Sequence, residues 1–168
     1  MHEAATYTVL AAMIGAGATA VMDVWGVLRR TLFGVPVANY GLVGRWLAYL
    51  PRGRFFHDPI AATPPVRGEE AMGWIAHYLI GMVFAVLLLA TVGLDWVRQP
   101  RLVPALLVGV GTVVAPYFIL QPAMGLGIAA RRAPNPAMAR LHSLVTHAVF
   151  GLGLYLTALA GVFITTRL

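Results

Sequence analysis

The sequence predicts an all-α, polytopic membrane protein: four transmembrane helices with a partly structured cytoplasmic loop between helices one and two. Apolar residues make up 60% of the 168-residue chain, only 11% are charged, and the mean hydropathy is +0.79, which lies outside the soluble range. Crossing a hydrocarbon layer of roughly 30 Å takes about 20 predominantly apolar residues in a helix. Four such runs occur, over residues 4–28, 71–94, 102–128 and 141–165, and together with the loop over 29–70 they form a single transmembrane domain, 1–168. Lipid offers no partner for backbone N–H and C=O groups, so runs of this length must be helices.

The first run carries one charge, Asp23, and the other three carry none. It does not read as a cleaved secretory signal, because nothing basic precedes it, it is too long, and Arg29 and Arg30 follow it. In the loop, Tyr40, Val43, Trp46, Leu47 and Leu50 recur at helical spacing within Asn39 to Leu50. That pattern predicts a surface helix with Arg45 reaching lipid headgroups. Pro51, Pro59, Pro64 and Pro65 predict an extended or turning second half, and Glu69 and Glu70 suit the positive end of the next helix. The short connection around Asp95 to Arg101 makes the second and third spans antiparallel neighbours, with Trp96 and Tyr7 as candidate anchors at that interface. Pro116 and Pro122 predict a kink beside Gln121 that frees the carbonyls of Thr112 and Phe118.

Nine arginines flank the spans on one side and three on the other. The positive-inside rule then places both longer loops in the cytoplasm and both termini on the non-cytoplasmic side. The net charge of +6 comes entirely from arginine, since no lysine occurs, and because these arginines lie beside spans they set topology and do not point to nucleic acid. The lipid bilayer is the expected partner. With no cysteine, a disulfide framework and a thiolate metal site are both excluded.

Each span places one polar residue at a similar depth: Asp23, His77, Gln121 and His147. A carboxylate at mid-membrane costs on the order of 3 kcal/mol, so Asp23 should face the bundle interior with a partner, His77 or His147. Gly15, Thr19 and Asp23 share a stripe, as do His77, Gly81 and Phe84, and Ser143, His147 and Gly151. The plainest role for such a ring is interhelical glue, worth about 0.6 kcal/mol per bond. Two imidazoles with an aspartate also form a candidate ligand-binding site: a divalent metal on His77 and His147 with Gln121 behind them, or a haem b with His77 and His147 as axial ligands. An Asp–His pair could instead pass protons, as in a proton-coupled or small-solute transporter acting as an oligomer. A structural subunit of a larger membrane complex is another alternative. A membrane enzyme is the alternative with the least support, since no nucleophile, base and oxyanion set can be assembled from spacing alone.

His57, Asp58 and His142 are secondary candidates, with an Asx-type turn before Pro59 as the ordinary explanation of the first pair. The segments His77-Tyr-Leu-Ile-Gly81 and His147-Ala-Val-Phe-Gly151, with Gly15-Ala-Gly17 and Gly109-Val-Gly111, suggest a weak internal repeat of two helix hairpins.

Several segments carry a family resemblance: Gly-Ala-Thr-Ala-Val-Met-Asp23, Leu42-Val-Gly-Arg-Trp-Leu, Pro51-Arg-Gly-Arg-Phe with His57-Asp58, Gly73-Trp-Ile-Ala-His-Tyr, Gln121-Pro122, and Ser143-Leu-Val-Thr-His-Ala-Val-Phe-Gly-Leu-Gly-Leu-Tyr155. Together they resemble the bacterial domain-of-unknown-function family 2938 over nearly the whole chain. That resemblance implies a small protein of the bacterial inner membrane and no assigned activity.

Overall fold

The computed structural model describes residues 2–165, with side chains from Thr6 to Phe163. Four helical stretches are long and apolar enough to cross a membrane. The first is α1 (His2–Phe33), the second α3 (Glu69–Val92) and the fourth α7 (Pro136–Thr165), while the loop helix α2 covers Tyr40–Tyr49. Between α3 and the third span lies a single turn, α4 (Asp95–Arg98). The third span runs Leu102–Ala123 and is composite: α5 (Leu102–Gly111), a wide π-helical turn at Pro116–Leu120, and α6 (Gln121–Ala123). No strand occurs among the described residues.

Local chemistry sets the ends. α1 stops where Gly34, at φ +66°, donates its N–H to the Arg30 carbonyl at 3.0 Å. At the end of α3, Gly93 does the same toward Leu89 at 2.9 Å. The chain then turns over Trp96, which is only 2% exposed and donates its indole N–H to the Arg101 carbonyl. Trp96 therefore locks the hairpin from inside, where the sequence suggested an interfacial anchor. Tyr7 crosses to the Val86 carbonyl at 2.8 Å. The third span leaves helical geometry at Ala123, because Gly125 and Gly127 turn the chain with φ of +95° and +71°. Within it, the Thr112 carbonyl expected to be free of a donor accepts the Ala115 N–H at 3.0 Å, so the chain around Pro116 tightens and then widens instead of leaving that acceptor open.

Side by side, α1 packs on both α3 and α7, and α7 packs on α5. Lipid supplies no hydrophobic drive to press helices together, so close backbone approach must do it. Every main contact is built on a glycine. A methyl group on Gly15 would meet the Met82 backbone, one on Gly109 the Gly151 Cα, and one on Gly153 the Ala18 Cα at 2.9 Å. Larger side chains, among them Ile14, Leu88, Phe150 and Leu154, fill the buried core between these crossings.

The loop helix α2 lies against the start of α3 by the same means, since a Cβ on Gly44 would strike the Glu69 carbonyl and one on Gly73 the Tyr40 carbonyl. Arg45 does not reach headgroups as its position suggested. Its guanidinium instead clamps Glu69 with two bonds, Nε to Oε2 at 2.8 Å and Nη2 to Oε1 at 2.6 Å, and donates to the Thr63 carbonyl at 2.8 Å. A planar fork matched to a carboxylate outcompetes solvated phosphate when the carboxylate is held next to it. Glu69 also accepts the Val66 N–H, so one ion pair closes the long loop onto α3.

Gly15→Ala should cost about 1–3 kcal/mol by forcing α1 from α3. Gly111→Ala, where a methyl group meets nothing within 4 Å, should be neutral or mildly stabilising. Thermal unfolding of the two variants in one detergent checks the difference.

Candidate functional site

Asp23 is where the polar groups of the first two spans meet. Its Oδ1 stands 2.9 Å from His77 Nε2, an ion pair when the imidazole is protonated, and its Oδ2 accepts the Tyr78 hydroxyl at 3.0 Å. Tyr40, reaching in from α2, adds a longer contact to Oδ1 at 3.4 Å. Its ring stacks on His77 with centroids 4.0 Å apart and planes 22° from parallel, and Trp74 closes the aromatic cluster. The carboxylate is 20% exposed and the imidazole 11%, so the pair is shielded but not sealed. Burial, then the nearby Asp23 carboxylate, push the Tyr40 phenol above its ordinary value, which keeps it a proton donor to that carboxylate.

The helices bring this about by register. Thr19 packs against Gly81 one turn above, which puts the next residue of each stripe, Asp23 and His77, side by side. Thr19 turns its own hydroxyl back to the Gly15 carbonyl and leaves the polar contact to the turn below.

The other two residues of the expected ring lie elsewhere. His147 is buried and hydrogen-bonded through Nδ1 to Thr112 Oγ1 at 2.7 Å, between α7 and the third span. Gln121 donates to Ser143 Oγ at 3.3 Å, and its Oε1 is buried without a partner. Depth is nonetheless shared in part: Asp23 lies five residues past Ala18, and His147 six residues before Gly153, which Ala18 contacts. At about 1.5 Å per residue the two stand on nearly the same level. Gln121 sits one turn nearer the arginine-rich end, at Ser143. No three His, Asp or Glu side chains converge among the described residues. His77 and His147 thus each turn one ring nitrogen to a different protein partner, Asp23 and Thr112, and no set of three ligating side chains forms around them among the described residues.

His142 meets Arg29, Nδ1 to Nη1 at 3.3 Å, and Arg29 also reaches Thr146 at 3.4 Å, so α1 and α7 are bridged at their arginine-rich ends. His57 and Asp58 part company: His57 is buried, its Nδ1 at 2.8 Å from Thr63 Oγ1 and its backbone N–H on the Ala123 carbonyl at 2.8 Å. Asp58, 76% exposed, pairs with Arg132. From the sequence Tyr40 is only one position of a surface helix and Thr112 only a freed carbonyl, and neither they nor Tyr78 are expected as side chains of the site. Tyr78 had the one available signal, its place directly after His77.

Burial, and then the Arg54 charge, lower the His57 pKa below its ordinary 6.5. The folded chain therefore prefers neutral His57, so this contribution to stability is complete above that pH and is lost as pH falls through the lowered value. An NMR titration of the imidazole should show His57 changing charge below 6.5.

A bundle of four apolar helices, carrying one carboxylate–imidazole pair within its spans, defines a polytopic α-helical membrane protein. The chain belongs to the family described as "Protein of unknown function (DUF2938)", which matches residues 12–161. No curated protein and no solved structure matches it.

Proposed function

We propose that the protein is a membrane proton carrier in which the Asp23–His77 pair binds and releases the transported proton. The observation that carries this reading is the convergence of one carboxylate, one imidazole and two phenols from α1, α2 and α3 on a single partly shielded point. As structural glue, such a cluster is a poor use of an ionisable group, since intramembrane hydrogen bonds average about 0.6 kcal/mol while the carboxylate costs on the order of 3 kcal/mol to insert. A carboxylate–imidazole pair holds one proton between two bases of different strength, and a small change of surroundings decides which releases it. Tyr40 makes those surroundings depend on α2, which is not one of the spans. A metal-binding or haem-binding reading has less support, because His77 and His147 serve separate clusters. Inner-membrane placement, with the arginine-rich loops in the cytoplasm and the protein working as an oligomer, is part of this proposal and rests on the charge distribution and family.

Reconstituted vesicles under an imposed potential should take up protons faster than empty ones, as read by an internal pH dye. Asp23→Asn should bring the rate to background, and Tyr40→Phe should change it by a few-fold. Uptake equal to empty vesicles, or uptake that survives Asp23→Asn, overturns the reading.

A further inference from the structure

Where the α1–α3 loop meets the connection between α6 and α7, the protein forms a cavity of about 500 Å³. Its two walls are stitched together: His57 N–H donates to the Ala123 carbonyl at 2.8 Å and Ile60 N–H to the Met124 carbonyl at 3.1 Å. Gly125 makes the approach possible, since a Cβ there would lie 2.7 Å from the His57 carbonyl. Just beyond, Ala129 and Ala130 both hold left-handed backbone at φ 47° and 54°. That conformation costs a non-glycine residue about 1–2 kcal/mol, and the surrounding contacts must maintain it.

Charge in the cavity is one-sided. Arg54, Arg131 and Arg132 line it, against the single carboxylate of Asp58. Asp58 is committed to Arg132 at 3.3 Å, whereas Arg54 and Arg131 have no carboxylate partner among the described residues. His57, on the same wall, is 4% exposed, and its Nε2 is buried with no hydrogen-bond partner. Its other ring nitrogen, Nδ1, is paired with the Thr63 hydroxyl at 2.8 Å. The remaining wall is apolar: Phe56 and Ile128 line the cavity at 71% and 49% exposed. Arginines that served only to orient the spans would not need to share a cavity, nor to share it with apolar side chains and an unsatisfied imidazole.

We infer that this cavity binds the phosphoryl group of an anionic amphiphile, with Arg54 and Arg131 holding the phosphoryl oxygens and Phe56 and Ile128 receiving the start of its chain. Guanidinium forks match phosphoryl oxygens two at a time, and a basic pocket at the end of spans is where a lipid headgroup lies.

The full chain, purified in an uncharged detergent, is titrated calorimetrically with dihexanoylphosphatidic acid, inorganic phosphate and dihexanoylphosphatidylcholine. Phosphatidic acid should bind at least tenfold more tightly than the choline lipid. Arg54→Gln and Arg131→Gln should each weaken it about tenfold or more, and Arg98→Gln, at the other end of the spans, should not. Ile128→Ser, which keeps every arginine, separates the sources: it should weaken phosphatidic acid and spare inorganic phosphate if the ligand is a lipid. Equal affinity for phosphatidic acid and inorganic phosphate, both lost in Arg131→Gln, keeps the phosphoryl site and identifies a free phosphate as sufficient. Absence of binding to either, equal binding of the choline lipid, or affinity unchanged in both arginine variants overturns the inference.

Discussion

The structure depends on how closely the helix backbones approach one another. In lipid, apolar side chains gain little by turning from acyl chains to a neighbouring helix, so association rests on van der Waals contact at short range. Glycines at the crossings of α1 with α3, of α1 with α7 and of α5 with α7 supply that range. The polar chemistry is a consequence. Only because Thr19 lies directly against Gly81 can a side chain as short as aspartate reach an imidazole on the next helix at 2.9 Å.

The same device appears twice. In each helix hairpin, a histidine four residues before a glycine on the second helix meets a polar side chain on the first: Asp23 for His77, Thr112 for His147. One partner is ionisable and the other is not. The outcome is a carboxylate–imidazole pair beside α2 and a buried hydroxyl–imidazole contact in the other half. The long loop joins the two halves of the arginine-rich end. Arg45 fixes its middle to α3, and His57 fixes its far side to the chain leaving the third span.

The four spans, the loop helix and the acidic start of α3 were legible in the sequence because hydropathy and periodicity act over many residues, and no tertiary detail can override twenty apolar side chains in lipid. The need of Asp23 for a histidine partner was legible for a related reason, a lone carboxylate in a span demanding one at its own depth, but the choice between His77 and His147 was left open. The full ring was not. Depth follows from counting along a helix, but which neighbour a residue faces depends on rotation about the axis, and this separated His147 from His77. Arg45 and Trp96 show another limit. Both carry features suited to a membrane surface, and both found stronger partners inside the protein, a carboxylate held in place for Arg45 and a backbone carbonyl under a tight turn for Trp96. The composite third span was half legible, since prolines announce a disturbance without saying whether the chain tightens or widens.

The fastening of α2 has a mechanical consequence. Tyr40 and His77 are both carried by the α2–α3 unit, whose parts are pinned by the Arg45–Glu69 clamp and the Gly44 and Gly73 contacts, whereas Asp23 rides on α1. Sliding α1 along α3 by a single residue's rise, about 1.5 Å, would stretch the carboxylate–imidazole contact while leaving the stacked rings undisturbed. The boundary between α1 and α3 thus runs between acid and base, so a displacement along it would separate the two members of the pair without unstacking the aromatic rings.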